Sequence, residues 1–163
     1  MKLFKAILIF CSATILSSCS VKLQPVTIAR HFPLEDYTYV YITPTSRLTS
    51  NVVSVYKGTG STYSVSVNPS EIIAGSMFKR GFIQVPEIKP ELASKTLIVN
   101  YGESGRRAVW CGFGYTIEIT LQFLSAETHK VLCTATAEGF GSTAADDIRI
   151  AINRALSEIF PIK

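Results

Sequence analysis

Apolar and polar residues alternate without a break from Tyr115 to Phe123, where Tyr115, Ile117, Ile119, Leu121 and Phe123 are separated by Thr116, Glu118, Thr120 and Gln122. A period of two over a full strand length predicts a strand with one buried face and one wet face. It argues against a sheet covered by helices on both sides, whose strands read as continuous apolar runs. Two layers are therefore expected. The chain reverses at Ser125 to Lys130, and Val131, Cys133, Ala135 and Ala137 carry the same face back along a second strand.

Two stretches change to helical spacing. Asn68-Pro69-Ser70-Glu71 places a capping residue, a proline at the first helical position and a glutamate three residues after the cap. A helix is expected there with Ile73, Ala74, Met77 and Phe78 on its buried face, ended by Gly81 in a left-handed conformation. Near the end of the chain, Ser142 or Thr143 caps a second helix. Its apolar stripe is Ile148, Ala151, Ile152, Ala155 and Ile159, Asp146 and Asp147 sit at its amino end, and Pro161 stops it.

The remaining β signals are shorter. Tyr37 to Ile42 reads as a strand closed by Thr43-Pro44, and Asn51 to Tyr56 with Thr62 to Val67 reads as a hairpin around Lys57-Gly58-Thr59-Gly60. Phe82 to Val85 and Thr96 to Tyr101 read as strands on either side of a proline-bearing segment. The glycine-containing run Gly102 to Arg107 lacks the spacing of a phosphate-binding loop and reads as a surface loop. The fold class expected is α+β, a two-layer sandwich in which a mostly antiparallel sheet of about five to seven strands carries two helices on one face.

The first residues have a different character. Lys2 and Lys5 precede an apolar stretch from Ala6 to Leu16, followed by Leu16-Ser17-Ser18-Cys19. A charged start, a short hydrophobic segment and small residues at a cleavage point are the parts of an export signal, and the segment is too short to span a bilayer. The last four residues resemble the lipobox of bacterial lipoproteins. That resemblance implies a diacylglycerol thioether on Cys19, further acylation such as palmitate, and removal of residues 1–18. Ser20 and Val21 bring no acidic cluster, so the expected address is the outer membrane facing the periplasm, with the cell surface as a variant of it. Residues 19–33 then form a lipidated tether, part of which, such as Val26 to Ile28, can instead add to a sheet edge; residues 34–163 form one domain.

Removing 18 of 163 residues leaves 145, enough for one core. Loss of Lys2 and Lys5 lowers the net charge from +4 to +2. So small an excess does not point to nucleic acid. Once Cys11 leaves with the signal and Cys19 is lipidated, Cys111 and Cys133 remain. The hairpin register pairs Cys133 with the neighbourhood of residues 122 and 123, about 36 Å along the strand from residue 111, so no disulfide is expected between them. His129 and Cys133 are about 13 Å apart along one strand and form no catalytic dyad. No catalytic residue, cofactor motif or metal-ligand spacing is apparent, and the protein is not expected to be an enzyme.

The order of elements from Tyr115 to Pro161, with a hairpin turn Ser125-Ala126-Glu127-Thr128-His129-Lys130 and a terminal helix ending in Phe160-Pro161, resembles small bacterial envelope lipoproteins. More loosely it is similar to the TolB amino-terminal domain and the curli-secretion lipoprotein. Turns of that family resemble Asp-Ala-x-Thr-Gly-Lys, so Ala126, Thr128 and Lys130 match, while Ser125 and His129 stand where Asp and Gly are usual. The resemblance implies a helix-backed sheet used for assembly or partner contact.

Arg106, Arg107, Trp110, Phe113 and Tyr115 crowd together among four glycines, and Arg, Trp and Tyr dominate the energetics of interfaces. They read either as a wide inter-strand loop whose aromatics fold back onto the core or as a partner-binding patch. The functional expectation is a non-enzymatic binding or assembly module, anchored to the membrane through Cys19, with an envelope protein or polymer as partner. The alternative is a carrier that holds a lipid or small apolar ligand between helices and sheet.

Overall fold

The computed structural model describes residues 21–56, 59–109 and 114–161, with residues 52–56 and 59–61 described by backbone alone. Among the described residues, eight strands and two α-helices follow in the order β1 (Thr27–Arg30), β2 (Tyr39–Ile42), β3 (Leu48–Tyr56), β4 (Thr59–Val67), α1 (Pro69–Phe78), β5 (Ile83–Gln84), a 3-10 helix (Pro90–Lys95), β6 (Thr96–Ala108), β7 (Tyr115–Ser125), β8 (Val131–Gly139) and α2 (Ala144–Ile159). Six strands form one sheet in the order β1-β8-β7-β6-β2-β5, and β3 and β4 form a separate two-stranded sheet. The fold is α+β, with both helices against one face of the sheet.

The β6-β7-β8 meander is antiparallel, as the alternation requires. Phe123 stands opposite Cys133, and Leu121 opposite Ala135. Ile117, Ile119, Leu121, Phe123, Cys133, Ala135 and Ala137 are all buried on the helix side. Tyr115, expected on that buried face, is 60% exposed because it begins the strand beyond the reach of the helices. Beyond β6 the sheet turns parallel: β2 pairs with β6 and β5 with β2. Val40 and Ile42 thereby join Leu97 and Val99 in the core.

Two β signals were misjudged from the sequence. Gly102 to Arg107 is not a surface loop: β6 runs through it to Ala108, paired with β7 throughout. A register shift between Glu103 and Gly105 absorbs one extra residue, so the glycines and serine that suggest a loop accommodate a bulge. Phe82 to Val85, by contrast, contributes only the two-residue edge strand Ile83–Gln84.

Helix α2 matches its pattern: Ile148, Ala151, Ile152, Ala155, Leu156 and Ile159 are buried, and the Thr143 hydroxyl accepts from the Asp146 amide at 3.1 Å. Helix α1 is rotated from its expected face. It buries Pro69, Ile73, Ser76 and Met77, and leaves Phe78 77% exposed. The cause is its contact with α2, where the Ser76 hydroxyl donates to Asn153 Oδ1. Its cap also differs. Asn68 makes no side-chain cap bond, and Thr45 Oγ1 accepts from the Ser70 amide at 3.0 Å instead. Gly81 adopts φ +88°, as a left-handed terminator should. Arg80 then ties the ends of the two helices, donating to the Phe160 carbonyl at 2.7 Å and to Ser157 Oγ at 3.0 Å.

Of the two readings of the stretch before the domain, the edge strand holds for Thr27–Arg30, which pairs antiparallel with β8. At the far end of the meander, the β7–β8 turn is closed by the Ser125 amide donating to the Lys130 carbonyl at 3.1 Å and the His129 amide donating to the Ser125 carbonyl at 2.8 Å. His129 sits at φ 56°, the only non-glycine residue at positive φ among those described. A side chain held in the left-handed region costs about 1 kcal/mol. His129→Gly should therefore raise stability by about 0.5 to 1 kcal/mol in urea unfolding; a variant less stable than the parent would show that the histidine side chain holds the turn.

Candidate functional site

The structure separates the residues that the sequence grouped. Arg106 and Arg107 lie near the end of β6 and Tyr115 begins β7, so the expected wide loop narrows to the connection between Ala108 and Tyr115, which stand opposite each other. Cys19, Trp110, Cys111 and Phe113 lie outside the described residues. Because successive strand residues point to opposite faces, the two arginines diverge. Arg106 stands opposite Ile117 on the helix side, 62% exposed, with Nη2 3.7 Å from Glu103 Oε2. Arg107 stands opposite Thr116 on the uncovered side.

From there Arg107 reaches across β7 to Glu138 on β8. Its Nε donates to Glu138 Oε1 and its Nη2 to Oε2, each at 2.8 Å. The strand between them allows this because Thr116 is small; its hydroxyl lies 3.4 Å from Glu138 Oε1 and 3.3 Å from the Arg107 carbonyl. The carboxylate is only 4% exposed. A two-pronged guanidinium contact is the strong form of this pairing. The Arg107 hydrogen bonds hold the Glu138 carboxyl down to about 2 against the penalty of burial, helped by the Gln24 amide, the Arg107 charge and the Thr116 hydroxyl. The same hydrogen bonds, more than the charge, push the Arg107 guanidinium up.

The pair also grips the chain before β1. The Gln24 amide donates to Glu138 Oε2 at 2.8 Å, and Arg107 Nη2 donates to the Lys22 carbonyl at 3.2 Å. From α2, Arg154 Nη2 donates to the Gln24 carbonyl at 2.8 Å, while its Nη1 donates to the Glu138 carbonyl. Two arginines and a glutamate from three elements thus fix the backbone of residues 22–24.

Beside this grip, the turn from β8 into α2 is tied by a second buried carboxylate. Asp147 accepts from the Gly141 amide. Burial pushes its carboxyl up, the Gly141 hydrogen bond opposes this, Asp146 adds to the rise and the Arg106 charge lowers it. Asp146, which accepts from Ser142 and Thr143, is lowered chiefly by those hydroxyls. Asp147 therefore anchors the turn to the helix. Among the described residues no group of three or more His, Cys, Asp or Glu side chains is placed to hold a metal ion, and no helix is long and apolar enough to cross a membrane.

The sequence suggested Arg107 as a partner-binding residue but did not reveal its pairing with Glu138 and Lys22. Glu138 lies 31 residues away, and Gln24 114 residues from Glu138. The available signal was Glu138 itself, an acid on a returning strand opposite Glu118. Like charges directly opposite are unfavourable unless one is neutralised.

No family model matches the chain, and no curated protein matches it. Among solved structures the chain is similar to the PelC dodecamer from Paraburkholderia phytofirmans at 14% identity and a TM-score of 0.48, over 85% of this chain and 98% of that one. A Leu-to-Met variant of the same dodecamer gives 13% identity and a TM-score of 0.47 over the same shares.

Proposed function

We propose that the protein is an outer-membrane lipoprotein facing the periplasm, anchored through Cys19, whose α+β domain is a non-enzymatic binding or assembly module for an envelope protein or polymer. The carrying observation is the sequence Leu16-Ser17-Ser18-Cys19 standing just ahead of a segment, Lys22 to Gln24, that is bonded to the folded body. A lipid on Cys19 thus belongs to a chain that is fastened to the domain rather than to a free tail. The module is preferred to a carrier because the space between helices and sheet is occupied by Ile73, Met77, Ile119, Leu121, Phe123 and Leu156, each buried.

Two acyl chains, at about 0.8 kcal/mol per buried methylene, anchor a protein stably. The wild-type protein should partition into the detergent phase on Triton X-114 extraction and carry an acylated amino-terminal cysteine by mass spectrometry. Cys19→Ala should move to the aqueous phase. A wild-type protein found in the aqueous phase with an unmodified amino terminus would sink the reading. Crosslinking in intact envelopes should then capture the partner with the wild type and lose it with the released Cys19→Ala form.

A further inference from the structure

We infer that the end of the sheet carrying Arg106 and Tyr115 faces the phospholipid headgroups of the bilayer that holds Cys19, oriented by the grip of Arg107, Glu138 and Arg154 on residues 22–24. The inference rests on the lipoprotein reading and adds to it a membrane-facing surface, where the sequence suggested contact with a protein partner.

The argument is one of chain length. A lipidated segment free up to residue 33 could let the domain drift about 50 Å from the membrane in any orientation. The structure shortens that reach. The Lys22 carbonyl is held by Arg107, and both the amide and the carbonyl of Gln24 are held, by Glu138 and Arg154. Only three residue steps separate Cys19 from Lys22, at most about 11 Å of chain.

The direction follows from the register. Thr27 stands opposite Thr136 and Arg30 opposite Cys133, so the chain before β1 runs toward the Gly139 end of β8. Gly139 is opposite Ile117, and Ile117 is opposite Arg106. The lipid therefore leaves the body at the end of the sheet where β6 finishes and β7 begins. The Ser125 to Lys130 turn lies at the other end, about 34 Å away along the eleven residues of β7.

The exposed groups at the near end suit headgroups. Tyr115 presents an amphipathic ring of the kind that settles at a membrane interface. Lys22 and Arg106 are exposed cations; Glu103, beside Arg106, offsets part of that charge. Arg107 is matched by Glu138 and so acts on the tether rather than on the lipid.

The test uses the full lipoprotein purified from membranes, in vesicles of phosphatidylethanolamine and phosphatidylglycerol that carry an energy-transfer acceptor on the headgroup. A fluorophore is attached at Tyr115→Cys or at Glu127→Cys in a Cys111→Ser background, where Cys133 is buried and does not react. Transfer at position 115 should exceed that at 127 by roughly threefold or more, given the ~34 Å between them. Inserting about twenty Gly/Ser residues between Ser20 and Val21 should bring the two values together. Equal transfer in the parent protein overturns the inference, as does a bias that survives the insertion. Mass spectrometry of the same samples keeps the two readings apart: an unacylated terminus defeats the lipoprotein assignment, whereas acylated protein with equal transfer defeats only the orientation.

Discussion

Gly139→Ala is expected to cost about 3 kcal/mol or more of folding stability, and to lower the urea midpoint accordingly. Gly139 ends β8 where α2 crosses it, and a methyl group there would fall on the backbone of the helix, 2.7 Å from the Asp147 carbonyl carbon and 2.8 Å from the Ala151 amide nitrogen. Backbone cannot rotate aside as a flexible side chain can, so the whole first turn of α2 must lift. That movement also disturbs the packing of α2 on β8, where Ala135, Ala137, Ala151 and Ala155 are all buried. Close packing makes interiors intolerant of even one added methylene. A Gly139→Ala variant within about 0.5 kcal/mol of the parent would show that α2 does not sit this close.

Glu138→Gln is expected to remove a pH-dependent contribution of about 3 kcal/mol, the free energy associated with a carboxyl held near 2 when its ordinary value is 4.5. The folded protein binds this proton less readily than the unfolded chain. The stabilisation is therefore complete above about pH 5 and fades as the pH falls toward about 2. Asp147 works in the opposite sense, because burial raises its carboxyl and its cost is relieved on acidification. The informative quantity is thus the difference between parent and variant in urea unfolding at several pH values. It should be largest near neutrality and shrink steadily below about pH 4.5, vanishing as the pH falls to about 2. Arg107→Met should flatten the same dependence, since its hydrogen bonds are the first cause of the low value. A difference that stays constant with pH would mean that Glu138 is not held ionised by this pair.

These two sites differ in how far they could be foreseen. The meander from Tyr115 to Gly139 was legible because an alternating strand must place its apolar residues on one face, and the turn placed Cys133 near residues 122 and 123, where the structure pairs it with Phe123. Helix α2 was legible because its stripe, cap and stop agree. Helix α1 was legible as a helix but not in its orientation: Ser76, buried against Asn153, turns Phe78 outward. Nor could β6 be followed beyond Tyr101, because a bulge with glycines on both sides looks like a loop until a partner strand is present.

The candidate site was less accessible still. Arg106 and Arg107 are neighbours in sequence, but strand geometry sends them to opposite faces, and only the pairing of β6, β7 and β8 brings Arg107 to Glu138. By itself the sequence determined the alternation, the helical stripes and the left-handed glycine that ends α1, all carried by residues close along the chain. Only the tertiary structure decided which charges are paired, where a missing side chain lets a helix touch a strand, and that residues 22–24 are fastened to the body. Those outcomes depend on contacts between segments separated by up to 130 residues, and the order of residues along a chain does not specify which distant groups exclude water together.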